Sequence, residues 1–272
     1  MTTMLDNPLV QSALLPFIVA LVLAIAIGVI APRWQGLAVP SSFYLAALLI
    51  SGAQILPLTS TRKILLLGLV AVIVEVFFAL RHVGDRQRYF LLIVICSVAV
   101  SWILWPLLLQ SEGLAWVPLL AASLFYMLWS TLMVDSQPRQ TPIRLLSLVI
   151  LSGGVAIVAT LGSSALLGQL AGAMAAALGG LLFVRLIFNR GMESEIFLPA
   201  ILITTLLGLV AVVYASLAWQ SLLFLMFVPL VSRIPLAIDN IWFKLSLQVL
   251  IMSLLVAGAI MMAWGNSSDT YY

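Results

Sequence analysis

Ten of the twelve Lys and Arg residues of this chain fall in alternate gaps between long apolar runs: Arg33, Arg81, Arg86, Arg88, Arg139, Arg144, Arg185, Arg190, Arg233 and Lys244. Only Arg62 and Lys63 lie in a gap of the other set. Short loops on the cytoplasmic side of a membrane keep Lys and Arg, and translocated short loops lack them. The alternation therefore predicts an all-α, polytopic transmembrane helical bundle with its N-terminus outside. A bacterial inner membrane is the expected setting.

Composition points the same way. The chain is 64% hydrophobic and 8% charged, against about 25% charged residues in a soluble domain. So little charge cannot cover a core of this apolarity with a polar surface. The net charge of +3 does not indicate nucleic acid as a partner, because the basic residues are scattered over short connections and form no patch. The bilayer itself is the expected partner. Cys96 is the single cysteine and His82 the single histidine. Neither a disulfide framework nor a zinc or bis-histidine haem site of the usual kind follows from them, and no cofactor is expected. Met1 to Ser12 hold no Lys or Arg, so the first apolar run reads as a retained span, since a cleavable signal needs a basic leading region.

A span needs about 20 residues to cross a hydrocarbon core of about 30 Å. Ten spans are predicted in a single integral membrane domain, 1–272. The first is Pro8 to Ala31, the second Ser41 to Leu56 between Pro40 and Pro57, and the third Arg62 to Leu80. Tyr89 to Val134 divides at Gln110-Ser111-Glu112-Gly113 into spans four and five. Ile143 to Ile187 divides at Gly162-Ser163-Ser164 into spans six and seven. Ile196 to Val231 divides at Trp219-Gln220-Ser221 into spans eight and nine, and span ten runs from about Phe243 to Trp264. Pro229, Arg233 and Pro235 shorten span nine, and a re-entrant segment, leaving nine spans, is its competing reading. Aromatic belts fit the same map: Trp102, Trp105, Trp116, Trp219 and Trp264 fall toward the outer boundary, and Trp34, Trp129 and Trp242 toward the inner one. Halves of five spans, 1–138 and 139–272, would have inverted topology, as in many transporters, although no residue-level repeat relates them.

Glu75 is the candidate intramembrane functional acid. It is the one acidic residue well inside a predicted span, and ionisable groups at such depth serve pathways or pair with one another. The structural alternative is an ion pair with an arginine from a neighbouring helix end, such as Arg144, Arg185 or Arg81, or a carboxyl that burial keeps protonated. His82 lies seven positions on, and a proton path from Glu75 to it can be drawn. Gln54, Gln169 and Gln248 are candidate polar lining, together with Ser51, Ser97, Ser101, Thr160, Thr204, Thr205, Tyr214 and Ser246. Each is equally accounted for by an interhelical hydrogen bond, which a medium without water requires. In span seven, Ser164, Gly168, Gly172, Ala176 and Gly180 recur every four residues and form a face for close helix packing, which puts span seven near the centre of the bundle. Ala20, Ala24 and Gly28 repeat the pattern in span one. Asp239 and Asn240 read as an N-cap for span ten, and the Gly153-Gly154 pair as a kink in span six.

Two functions fit these features. A transporter or permease for a small, weakly charged or apolar solute suits ten spans with one buried acid. A non-enzymatic scaffold, assembly or accessory subunit of a membrane complex, with a membrane-protein partner or a second copy of the chain, needs no charged cavity. An enzyme acting on lipid would want several acids, a histidine or a metal motif near an interface, in which this chain is poor. A polar cavity that reaches Glu75 would favour transport, and an apolar bundle with Glu75 locked to an arginine would favour the scaffold. Topology is testable at once. Single-cysteine labelling is expected to find Arg86, Arg139 and Arg190 inside and Thr59, Glu112 and Ser163 outside; labelling of position 86 from the outer face would overturn the map.

Overall fold

A computed structural model describes residues 7–52, 56–81, 84–110, 116–135, 142–162, 164–188, 197–215, 217–234 and 240–268. These residues form an all-α bundle of membrane type, with ten α-helices and no strand among them. A π-helical turn, Val10–Leu14, runs into α1, Leu15–Ile30, and a 3-10 turn, Pro32–Leu37, runs into α2, Ala38–Ser51. Then come α3, Ser60–Arg81; α4, Asp85–Gln110; α5, Trp116–Asp135; α6, Pro142–Leu161; and α7, Ala165–Phe188. The last three are α8, Leu198–Tyr214; α9, Trp219–Val231; and α10, Ile241–Ser268. Eight helical segments among the described residues are long and apolar enough to cross a membrane. The outward faces carry large apolar side chains such as Ile30, Ile73, Phe90, Leu254 and Met261, which only a hydrocarbon solvent accommodates at this density.

Several boundaries differ from the sequence-based expectation. α2 begins before Pro40 and ends at Ser51. Pro40 is its third residue, in the first turn, where no backbone N–H is needed for the helix. Gly52 closes it with φ +76°, a conformation that glycine alone adopts freely. Trp219, Gln220 and Ser221 do not separate α8 from α9 but form the first turn of α9. Asp85 to Arg88, expected in a connection, lie in the first turn of α4, and Asp135, likewise expected in a connection, is the last residue of α5. α6 runs unbroken through Gly153-Gly154. Asn240 caps α10, its Oδ1 accepting from the N–H groups of Trp242 at 3.0 Å and Phe243 at 3.4 Å, while Asp239 lies outside the described residues.

The helix enclosed on all sides is α8, not α7. Every residue from Leu198 to Ala211 is buried. A helix that is apolar all round belongs inside a bundle, and one with no lipid face need not match the bilayer: at a rise of about 1.5 Å per residue α8 spans only about 26 Å. α9 is shorter, about 20 Å on the same basis, and packs between α10 and α6. α7 instead packs on α6, α1 and α2 and leaves Leu166, Phe183, Ile187 and Phe188 exposed.

Close approach governs where α7 meets α1. The buried residues of α1 are Pro16, Ala20, Ala24 and Gly28, one per turn. A Cβ placed on Gly180 would stand 2.7 Å from the Phe17 carbonyl oxygen and 3.1 Å from Ala20 Cβ. At Gly168 it would meet the Ala156 carbonyl oxygen of α6 at 3.0 Å. Gly172 has room, its nearest neighbour being the Ser12 carbonyl oxygen at 3.6 Å. Gly180→Ala is therefore expected to destabilise by about 1–3 kcal/mol through overpacking. Gly172→Ala is expected to be neutral or slightly stabilising, since alanine favours a helix over glycine by about 1 kcal/mol. Thermal unfolding in detergent checks both; equal effects would refute this assignment of the tight contact.

Candidate functional site

The polar centre of the molecule lies where α3 ends, α4 begins, α5 ends and α6 begins. Consecutive helices joined by short connections run antiparallel, so these four ends meet at the same face of the bundle. Glu75 sits one and a half turns before the end of α3 and is 0% exposed. Arg88 sits in the first turn of α4 and reaches it: Nη2 donates to Glu75 Oε1 at 3.0 Å. The same guanidinium holds Asp135 at the end of α5, through Nη2 to Oδ1 at 2.8 Å and Nε to Oδ2 at 3.2 Å. Arg144, in the first turn of α6, donates from Nη2 to Asp135 Oδ1 at 3.3 Å. Among the described residues, two carboxylates and two guanidiniums thus meet in one buried network.

Aromatic rings complete the enclosure. The Arg88 guanidinium lies 5.6 Å from the Phe78 ring centroid, one turn beyond Glu75. Phe197, beside the first turn of α8, is fully buried and takes Arg144 at 4.7 Å and Arg185 of α7 at 5.6 Å. A ring face attracts a cation most where the pair is desolvated, by about 2 kcal/mol. Six helices, α3 to α8, therefore contribute to one charged end.

Glu75 does pair with an arginine from a neighbouring helix end, but Arg88 takes the place of the three named as examples. Arg144 is linked by hydrogen bond to Asp135, which shares Arg88 with Glu75, while Arg185 lies over Phe197 and Arg81 lies 5.8 Å from the Phe77 ring. Arg88 takes the place because the α3–α4 turn is short, so that its first-turn arginine returns to the depth of Glu75. His82, and with it the path from Glu75, lies outside the described residues, as does Gln54. Gln169 on α7 is half-buried. Gln248 on α10 is 0% exposed, and neither of its amide atoms has a hydrogen-bond partner among the described residues. No hydrogen bond joins the two glutamines. Most of the hydroxyls bond along or between helices: Ser51 to the Ala47 carbonyl, Ser97 to Ile93, Thr205 to Ile201, Tyr214 to Ile103, and Ser152 with Thr204.

At the opposite end, the two exceptions to the charge alternation have local partners. Lys63 Nζ donates to the Trp102 carbonyl at 2.9 Å, and Arg62 Nη1 to the Pro57 carbonyl at 2.7 Å. No group of acids, histidines and cysteines suited to a metal ion occurs among the described residues. No known protein family matches the chain, and no curated relative matches it.

Arg88 is the hub, and stability should report it. Arg88→Gln leaves two buried carboxylates facing one arginine and is expected to cost about 3–5 kcal/mol. Glu75→Gln should cost less, because Arg88 keeps both contacts to Asp135. The Glu75→Gln/Arg88→Gln double variant restores charge balance around Asp135 and Arg144 and is expected to recover part of the Arg88→Gln loss. Unfolding of the three variants in detergent gives the coupling energy directly; additive losses would show that Glu75 and Arg88 are independent.

Proposed function

We propose that this integral membrane protein is a non-enzymatic scaffold or accessory subunit of a membrane complex, in a bacterial inner membrane with its charged end toward the cytoplasm. The observation that carries this reading is the state of Glu75, which is 0% exposed and bonded to Arg88. Its charge is matched by a network that ties helix ends together, the work of a structural element.

A second reading, transport of a small and weakly charged solute, draws support from unspent polar capacity. Glu75 Oε2 and both amide atoms of Gln248 are buried without hydrogen-bond partners among the described residues. A rearranged bundle that hydrated them would recover their lost solvation, a matter of about 1–3 kcal/mol per atom.

A hydrophobic carbodiimide separates the two, because it modifies protonated carboxyls in apolar surroundings and spares ion-paired carboxylates. Glu75 in the native membrane at pH 7 is expected to remain unmodified when its peptide is examined by mass spectrometry. The chain is also expected to migrate in mild detergent above its own mass of 29.4 kDa, in a complex that the Glu75→Gln/Arg88→Gln variant preserves. Ready modification of Glu75, with loss of a pH-dependent flux in Glu75→Gln, would replace the scaffold reading by transport.

A further inference from the structure

We propose that the groove between the charged ends of α3 and α4 binds an anionic phospholipid of the inner leaflet. The groove has a volume of 440 Å³ and is lined by Phe77, Arg86, Gln87, Phe90 and Leu91. That volume lies within the range of about 300–1,000 Å³ usual for small-molecule sites. It opens sideways from the bundle: Phe77 is 49% exposed and Phe90 67%, so its occupant arrives from the lipid and not through the protein.

The chemistry of the rim selects that occupant. Arg81 lies with its guanidinium 5.8 Å from the Phe77 ring, and Arg86 sits one turn from Phe90 along α4. Both arginines are exposed, and neither has an acidic partner among the described residues. Arg88, only two residues beyond Arg86, is spent on Glu75 and Asp135. Two cations with no acidic partner among the described residues thus stand at the membrane boundary, and two aromatic rings stand about one turn deeper. A neutral lipid would leave the arginines unused, and a soluble anion would leave the apolar wall uncovered. A phosphodiester headgroup with an acyl chain meets both, as basic pockets on the cytoplasmic face of membrane proteins do.

The test uses the purified full chain in dodecyl maltoside, with fluorescent phosphatidylglycerol and an equally labelled phosphatidylcholine read by anisotropy. Phosphatidylglycerol is expected to bind more tightly, with a preference that falls roughly 5-fold for each arginine removed in Arg81→Gln and Arg86→Gln. Both side chains are exposed, so these variants keep the fold. Phe90→Ala is expected to weaken both lipids alike. Arg233→Gln, which removes a cation elsewhere, should leave the preference intact. Equal binding of the two lipids by the unaltered chain would overturn the proposal. So would a preference that survives the Arg81→Gln/Arg86→Gln double variant, or one that Arg233→Gln lowers as much.

Discussion

The acids Glu75 and Asp135 are buried inside the bundle, and that constraint organises the molecule. A carboxylate in hydrocarbon must be neutralised by geometry, since no solvent does it. Glu75 and Asp135 meet the requirement together through one guanidinium, Arg88, with Arg144 closing the balance. Each bond joins a different pair of helix ends, so that the cluster fixes the relative depth and rotation of α3, α4, α5 and α6. Replacement of a buried ion cluster by apolar groups is often neutral or better for stability; its distinctive contribution is that no other register satisfies it.

Elsewhere the bundle relies on contact alone. Lipid tails are as apolar as leucine, so helices gain little by hiding leucines from them, and small residues that admit close approach decide the packing. The α1–α7 seam has that character: alanines on α1 face glycine on α7, with a backbone oxygen where a side chain would stand. α8 shows a different solution, being enclosed on every side and hydrogen-bonded through Ser152 and Thr204 to α6.

Much of this fold is legible in the sequence, because hydropathy and the placement of arginines are dictated by the bilayer. The apolar runs give the helices, and Gly162 and Gln110 lie at the corners where α6 and α4 end. What the sequence hides is what happens at helix ends. Asp135 and Arg88 look like loop residues, since a polar residue at the edge of an apolar run has the same signature in solvent and in a buried cluster. Phe78, one turn beyond Glu75, and Phe197, ahead of α8, were the signals available: rings beside helix ends that carry arginines mark where those arginines can be enclosed. The centrality of α8 is also legible in its unbroken apolarity, whereas the regular glycines of α7 point to α7 instead. Glycine spacing marks a close contact and does not say how many sides of a helix are covered.

The order of the charges along the chain has a consequence for biogenesis. Glu75 meets its cation 13 residues later, in Arg88, and Asp135 meets Arg144 after only 9. The contact that joins the two pairs, Arg88 to Asp135, spans 47 residues. Each acid is therefore followed by a neutralising arginine within the same helical hairpin, α3–α4 or α5–α6. A nascent chain entering the membrane hairpin by hairpin never has to hold a naked carboxylate in lipid while waiting for a distant partner. The long-range contact joins two units in which each buried acid already has a cation of its own, so docking one on the other requires no unpaired carboxylate to cross the hydrocarbon.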